Sequence, residues 1–390
     1  MTPAVPPGTV LPDADGRHVR AVLAAGLDAV GIPSASHGRT GAQDRELLGL
    51  PEAPKVCVVL VDGLGMRMLV ERGGHAPFLR GHLGSALSLT STFPSTTAAA
   101  ITAVGTGELP GTTGMLGFSV REPATGEVLN LISWEGTALR PRAWQRADTL
   151  FEQAERQGGP GVVSVGPARF VGSGLSEAAL RGARPVSAER LADRVDTTCA
   201  QLRRPDVAAV YLYWGEVDHT GHEHGWGSWQ WGEEVTATDA ELARLARSLP
   251  AGTLLLITAD HGMVDLSAGS RLDVAEDPVL AADVELVAGE PRACHVYTAP
   301  GTASEVARRW ADVLQDDAWV LTREEVEATG LLGALAADRR DAVGDVVVAM
   351  RGRRAVVDSR TQSPASIALV GVHGSLTEDE MLVPLVRTVV

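Results

Sequence analysis

Lysine is almost absent from this chain. Lys55 is the only one in 390 residues, and arginine supplies the rest of the positive charge. This fits codon usage in a GC-rich genome. Acidic residues outnumber basic ones, for a formal net charge of -15. The chain therefore lacks the cationic footprint that a nucleic-acid polymer or an anionic membrane requires. A phosphate-bearing small molecule is not excluded, because a bound cation can supply local positive charge. Cysteine is scarce too: Cys57, Cys199 and Cys294 are far apart and odd in number. No CxxC pair is present, which argues against a disulfide framework and against a thiolate zinc site. No apolar run is long enough to span a bilayer. The N-terminal stretch has no charged start followed by an apolar core, so no signal peptide is expected and the expected location is cytoplasmic. Phe and Tyr number only 5 and 3, so Val, Leu and Ala must fill the core.

Short β-branched apolar runs recur along the chain: "VCVVLV" (56–61), "GVVSVG" (161–166), "VAAVYLY" (207–213), "TLLLIT" (253–258) and "IALVGV" (367–372). Each suits a buried parallel strand. Helical patterns lie between them, at 146–158, 187–204 and 234–249. The alternation predicts an α/β fold, with a mostly parallel central sheet between helices. Residues 1–50, rich in Pro, Gly and Asp, read as an N-terminal arm with one short helix near 19–30. Residues 51–284 plus 363–390 form the expected catalytic body. Residues 285–362 read as a small α+β insert, with strands in "ACHVYTA", "DVVVAMR" and "RAVVDS" and a helix in "TASEVARRWADVLQ".

Carboxylates and imidazoles fall at the ends of these strand runs. Asp62 follows the first, "GEVDHTGHEHG" (215–225) follows the third, Asp260 and His261 follow the fourth, and His373 closes the fifth. The carboxyl ends of parallel strands form the rim where ligands bind. Carboxylates gathered there repel one another and desolvate badly unless a cation joins them. Three Asp (62, 218, 260) and three His (222, 261, 373) suffice for two divalent ions. Asp/His sets without thiolate favour zinc, with manganese or iron as alternatives. Taken singly, Asp62-Gly63 is an ordinary turn and Asp260 an ordinary helix cap. It is their joint order at successive strand ends that points to metal.

"VLVDGLG", "DHTGHEHG", "TADHGM" and "VGVHGSLTEDEM" resemble, in type and order, the motifs of the alkaline phosphatase superfamily. The branch they resemble is that of the nucleotide pyrophosphatase/phosphodiesterases. The resemblance covers about residues 55–120, 205–265 and 365–390. It implies one zinc on Asp218, His222 and His373. A second would be held by Asp62, Asp260, His261 and the oxygen of a nucleophilic Ser or Thr at a helix N-terminus. It implies hydrolysis of a phosphate diester or nucleotide pyrophosphate bond through a covalent phospho-threonine. The partner is then a small phosphate ester or nucleotide.

The nucleophile must come from "TSTFPSTTAAAITAVGTG" (90–107), which holds eight hydroxyls. "TTAAAITAV" is a helix that Gly105 or Gly107 would stop, so Ser95, Thr96 and Thr97 stand at its start. There the dipole and free N–H groups favour a phosphoryl group. "TFPS" resembles the branch's Thr-Phe-Pro-Asn motif and nominates Thr92. The superfamily spacing of ten residues before the Gly of a Thr-Gly pair nominates Thr97. Thr97 is preferred, then Thr96, then Thr92. One departure stands out: the branch places a phosphoryl-contacting Asn where this chain has Gly117. Trp214, Trp226, Trp229 and Trp231 either stack on a base or pack the metal loop. A phosphomonoesterase or phosphonate hydrolase with the same metals remains an alternative, as does a non-catalytic binder. A sulfatase is disfavoured, because no Cys/Ser-x-Pro-x-Arg pattern occurs.

Overall fold

The computed structural model describes residues 3–159, 161–267 and 269–390. Its centre is a seven-stranded sheet. The strand order is Leu87–Thr90, Leu382–Val389, Thr253–Thr258, Lys55–Val61, Val207–Trp214, Gly161–Gly166 and Arg184–Ser187. Pairing is parallel from Thr253–Thr258 through to Arg184–Ser187. Leu382–Val389 alone runs against the others. The inner strands are buried along nearly their whole length, as expected when helices cover both faces of a sheet.

A second sheet, of four antiparallel strands, is ordered Val284–Glu290, Ala293–Thr298, Val346–Met350 and Ala318–Thr322. The strongly amphipathic helix Ala303–Leu314 packs on it through Val306, Trp310 and Leu314. Trp319, Leu321 and Val347 of this sheet share a cluster with Phe93 and Ala98 of the main body. The second sheet thus shares a buried cluster with the start of helix Thr97–Thr106. No helix among the described residues is long and apolar enough to cross a membrane.

Two expectations are corrected. "IALVGV" is not a strand of the central sheet. Ser363 caps a short helix, Pro364–Ile367, and only Gly371–Val372 is extended, pairing with Val264–Asp265. The last core strand is Leu382–Val389, whose Pro384 and Arg387 disguise it, since proline is rare inside sheets. Residues 19–50 are more than an extended arm. They form helices Ala21–Ala29 and Gly41–Leu48, and Val22, Leu23 and Leu27 lie in the main core. The first helix is apolar all round, the mark of a buried helix. Gly26 lets it approach the sheet: a Cβ there would touch Val56, Val58 and Leu256 at 3.4 Å.

Candidate active site

Three adjacent parallel strands each deliver ligand-type side chains to the same rim. Asp62 follows Lys55–Val61, helix Glu216–His224 follows Val207–Trp214, and Asp260 and His261 follow Thr253–Thr258. On that helix, Asp218 and His222 stand one turn apart, with Asp218 Oδ2 3.1 Å from His222 Nε2. His373 arrives on the 371–374 segment. That segment is tied to the helix by Val370 N–H donating to the His222 carbonyl.

Five of the six side chains fall into two overlapping groups. Asp218, His222 and His373 bring one ligand atom each within 4.8 Å of one another, and so do Asp62, Asp218 and His261. Asp218 therefore faces both groups, a sharing that motif spacing did not disclose. Asp260 stands beside the second group, with Oδ2 3.4 Å from His261 Nε2, while its Oδ1 accepts from Gly63 N–H and His261 N–H.

The hydrogen bonds leave the metal-facing atoms free. Each histidine sets Nδ1 against a backbone carbonyl: His222 on Gly371 at 2.7 Å, His261 on Gly262 at 3.0 Å and His373 on Ser95 at 2.9 Å. A carbonyl accepts only, so Nδ1 carries a proton and Nε2 is the nitrogen turned toward the carboxylates. Asp62 Oδ1, Asp218 Oδ1 and Asp260 Oδ2 are buried without a partner. Orphaned carboxylate oxygens are costly in a folded protein. Three of them gathered beside the imidazole Nε2 atoms fit a pair of divalent cations.

The electrostatics agree. Burial, then Asp260 and Asp218, push Asp62 well above the usual carboxylate range, and Tyr213 partly offsets this. Burial also raises Asp260. For Asp218, burial is overcome by His222, His373 and His261, which hold its carboxyl low. Burial would lower His222, but Asp218 raises it to about 9. His373 is depressed by burial and by His261, whose ring stacks on it at 3.6 Å. Both conflicts, carboxylate on carboxylate and imidazole on imidazole, disappear with metal in place.

The structure separates the candidate hydroxyls. Thr97 opens helix Thr97–Thr106, which ends at Gly107 with φ 72°, and its Oγ1 is 3.3 Å from His261 Nε2. Thr96 occupies the N-cap position, but its side chain makes no capping bond, so the first-turn N–H groups are not claimed by a side chain. Thr92 is fully buried and donates to the Pro94 carbonyl at 2.7 Å. Ser95 donates to the Ser375 carbonyl at 2.7 Å. Ser91 donates to the Asp260 carbonyl. The 91–96 segment is thus stitched to the Asp260 and Ser375 loops, leaving Thr97 as the hydroxyl at the ligand group.

Beside the site lies a cleft of about 1050 Å³, with Thr97, Asp62, Asp218 and His222 in its wall. Its far side is formed by residues after strand Gly161–Gly166, among them Arg169 and Phe170. The Phe170 ring is 5.9 Å from Tyr213, and Tyr213 Oη donates to Asp62 Oδ2 at 2.6 Å. Arg194 also lines the cleft, but it is spent on the Ala188, Tyr213 and Glu189 carbonyls. Arg169 lies over Phe170 at 4.9 Å and makes no ion pair among the described residues. Tyr213, Phe170 and Arg169 were not singled out from sequence. The usable signal was their place at or just beyond the carboxyl end of a strand. The tryptophans do not line this cleft. Trp214, Trp226 and Trp231 are buried, and Trp226 packs edge-on to Trp231. Trp229 is 67% exposed.

Ligand-type side chains at the ends of adjacent parallel strands, facing a hydroxyl at an uncapped helix start, fit the class of metal-dependent hydrolases of phosphoester bonds. The profile of the type I phosphodiesterase/nucleotide pyrophosphatase family matches residues 56–376, and the chain belongs to that family. Human ectonucleotide pyrophosphatase/phosphodiesterase family member 7 is 36% identical over 91 residues, covering 22% of this chain and 20% of the human protein. The rat counterpart is 36% identical over 78 residues, covering 19% of this chain and 18% of the rat protein. The matched stretch thus spans about a fifth of these relatives' length. Murine ectonucleotide pyrophosphatase/phosphodiesterase 5 superposes with a TM-score of 0.67 at 19% identity, over 85% of this chain and 87% of that one. Phosphonoacetate hydrolase from Sinorhizobium meliloti 1021, in complex with phosphonoformate, gives 0.66 at 21%, over 91% and 93%. These superpositions show a shared fold.

Proposed function

We propose that the protein is a metal-dependent hydrolase of phosphoric esters, with a diester or nucleotide pyrophosphate as substrate and Thr97 as nucleophile. One observation carries this reading: Thr97 Oγ1 sits 3.3 Å from His261 Nε2, at the uncapped start of a ten-residue helix. Asp218, His222 and His373 would hold one ion. Asp62, Asp260 and His261, with the Thr97 oxygen, would hold the other, and Asp218 faces both. The donor set, histidine and carboxylate without thiolate, suits zinc best, then manganese. When bound, such ions make the Thr97 hydroxyl more acidic and neutralise charge on the attacking and leaving oxygens.

The chain's own groups do the rest. The first-turn N–H groups of the Thr97 helix receive a phosphoryl oxygen. Thr97 Oγ attacks phosphorus in line, forming a P–O bond as the bond to the leaving oxygen breaks. The leaving group departs with that electron pair and takes up the proton given up by the Thr97 hydroxyl. Water then attacks the phospho-threonine from the vacated side, and Thr97 regains its hydroxyl. The cleft along Tyr213, Phe170 and Arg169 receives the leaving group. An inactive variant of the murine protein has been solved in complex with AMP, which supports a nucleotide as the class of substrate. In this reading residues 51–284 plus 363–390 are the catalytic body, and 285–362 an α+β insert that buttresses it.

A second reading, a phosphomonoesterase or phosphonate hydrolase, is favoured by Arg169, whose free guanidinium suits a substrate with an additional anionic group. A panel of bis(p-nitrophenyl) phosphate, p-nitrophenyl phosphate and phosphonoacetate, with zinc and with manganese, separates the two. Thr97→Ala should lower kcat on the preferred ester by at least about 10³-fold, since nucleophile loss removes the covalent route. It should leave the bound metal measurable by mass spectrometry. Full activity in Thr97→Ala would refute the assignment.

A further inference from the structure

The second sheet places one unexplained carboxyl directly behind the Thr97 helix. Glu290, the last residue of strand Val284–Glu290, is only 7% exposed. Its Oε1 accepts from Phe118 N–H at 2.6 Å. Its Oε2 is buried with no hydrogen-bond partner. Around Oε2 stand the pieces that frame the nucleophile. A Cβ at Gly117 would lie 3.1 Å from it, and one at Gly374, next to His373, would lie 3.2 Å from Glu290 Cβ. The Thr96 hydroxyl adjoins it and is likewise buried and unpartnered. At Gly117 the φ of 145° excludes any side chain but hydrogen, so Glu290 is the group that fills this corner.

A buried ionised carboxylate here would oppose an incoming oxyanion and would strand a charge away from water. Burial works against that form, pushing the Glu290 carboxyl up to about 8. Burial thus favours the neutral form of this carboxyl. A neutral carboxyl can accept from Phe118 at one oxygen and donate its proton at the other, and the oxygen available for donation is the one beside Thr96.

We propose that Glu290 is a positioning residue: its carboxyl ties the Phe118 turn to Thr96 and so fixes the first-turn N–H groups of the Thr97 helix for a tetrahedral oxyanion. It acts through the backbone of the helix start and does not itself touch the phosphoryl group. This inference rests on the functional reading above for the identity of the oxyanion, a phosphoryl group or its isostere.

The test uses the metal-loaded full chain carrying Glu290→Met, which keeps the length and loses both the Phe118 bond and the proposed donation to Thr96, and Glu290→Gln, which keeps an acceptor and a neutral donor. Three quantities are read: kcat and KM on bis(p-nitrophenyl) phosphate, the affinity for orthovanadate by calorimetry, and Tm. Misplacing reacting groups by a fraction of an ångström to one ångström costs on the order of 10–100-fold. Glu290→Met should lower kcat and weaken vanadate by about that factor, with KM changed less than about threefold. Glu290→Gln should stay within about threefold of wild type in both. The proposal is overturned if Glu290→Met binds vanadate like wild type, or if Glu290→Gln falls as far as Glu290→Met. Should Glu290→Met fail to fold, Thr96→Val removes the other half of the contact. It must weaken vanadate likewise, and unchanged affinity overturns the proposal. If wild type cleaves no ester while the vanadate pattern holds, the hydrolase reading fails and the Glu290 assignment stands. If esters are cleaved and the variants do not differ, the reverse is true.

Discussion

Replacing Tyr213 with phenylalanine removes one oxygen atom from the site and leaves the ring where it is. In the native structure that oxygen donates to Asp62 Oδ2 at 2.6 Å, while Asp62 Oδ1 has no protein partner. One carboxylate oxygen is thus fixed by the protein and the other is free for a cation. A hydrogen bond to a charged carboxylate contributes about 1.5–3 kcal/mol. At about 1.4 kcal/mol per tenfold, its loss weakens metal binding by roughly 10- to 100-fold. The pH dependence follows from the same bond. Tyr213 lowers an Asp62 carboxyl that burial, Asp260 and Asp218 raise. Without it the proton competes better with the metal, so Tyr213→Phe should lose more affinity at pH 6 than at pH 8. Calorimetric titration of the chelator-stripped protein with zinc at both values measures this. Equal affinities for wild type and variant at both pH values would refute the claim that Asp62 is oriented as a ligand by Tyr213.

Thr92→Ala should keep kcat within about threefold of wild type and lower stability by about 1 kcal/mol, the worth of its bond to the Pro94 carbonyl; a kinetic loss matching that of Thr97→Ala would move the nucleophile to Thr92. Arg169→Ala should raise KM about fivefold for an ester whose leaving group carries a carboxylate, and leave bis(p-nitrophenyl) phosphate unchanged, as expected for an exposed charge pair of about 1 kcal/mol; equal effects on both substrates would remove Arg169 from the site. Buried His295 donates from Nε2 to the Leu116 carbonyl and accepts Gly344 N–H at Nδ1, and the acceptor role of Nδ1 needs the neutral ring. Burial lowers it from 6.5 to about 4. A lowered folded value means stability that is complete above pH 6.5 and lost as pH falls towards 4. The loss is about 3 kcal/mol, read as an acid limb in urea unfolding of the metal-stripped protein that flattens in His295→Gln.

How far the sequence discloses this site depends on whether a residue's role is local. Asp62, Asp260 and His261 announce themselves because each directly follows an apolar strand run, and the strand carries them to the rim. Asp218 and His222 are legible for the same reason, their spacing being one helical turn. Thr97 is legible through the alanine-rich helix and the glycine that ends it. Where local pattern and tertiary context disagree, reading fails. "IALVGV" is as apolar as any core strand, yet Pro364 and the Ser363 cap commit its first residues to a helical turn. Leu382–Val389 takes the place in the sheet, because pairing on both sides outweighs the missing donor of Pro384. The tryptophan cluster looks like a binding platform, yet three of its four members are consumed in packing. The cleft wall comes from Phe170 and Arg169, in a loop with no periodicity to mark it.

Glu290 shows the limit most plainly. In the sequence it is one glutamate before a proline, in a segment with no motif. It matters only because the second sheet turns it towards the Thr97 helix, nearly two hundred residues earlier in the chain. Trp319, Leu321 and Val347 belong to the same buried cluster as Phe93 and Ala98. The second sheet therefore shares its packing with the start of the Thr97 helix. A destabilising change inside it, such as loss of the Trp319 side chain, should reach the helix start through this cluster. Large-to-small changes at buried aromatic positions cost about 3–5 kcal/mol, a large share of the stability of an ordinary domain. If the segment were only an appended unit, such a change would melt it separately and leave orthovanadate affinity intact. A single cooperative transition, with affinity lost alongside it, is what shared packing demands.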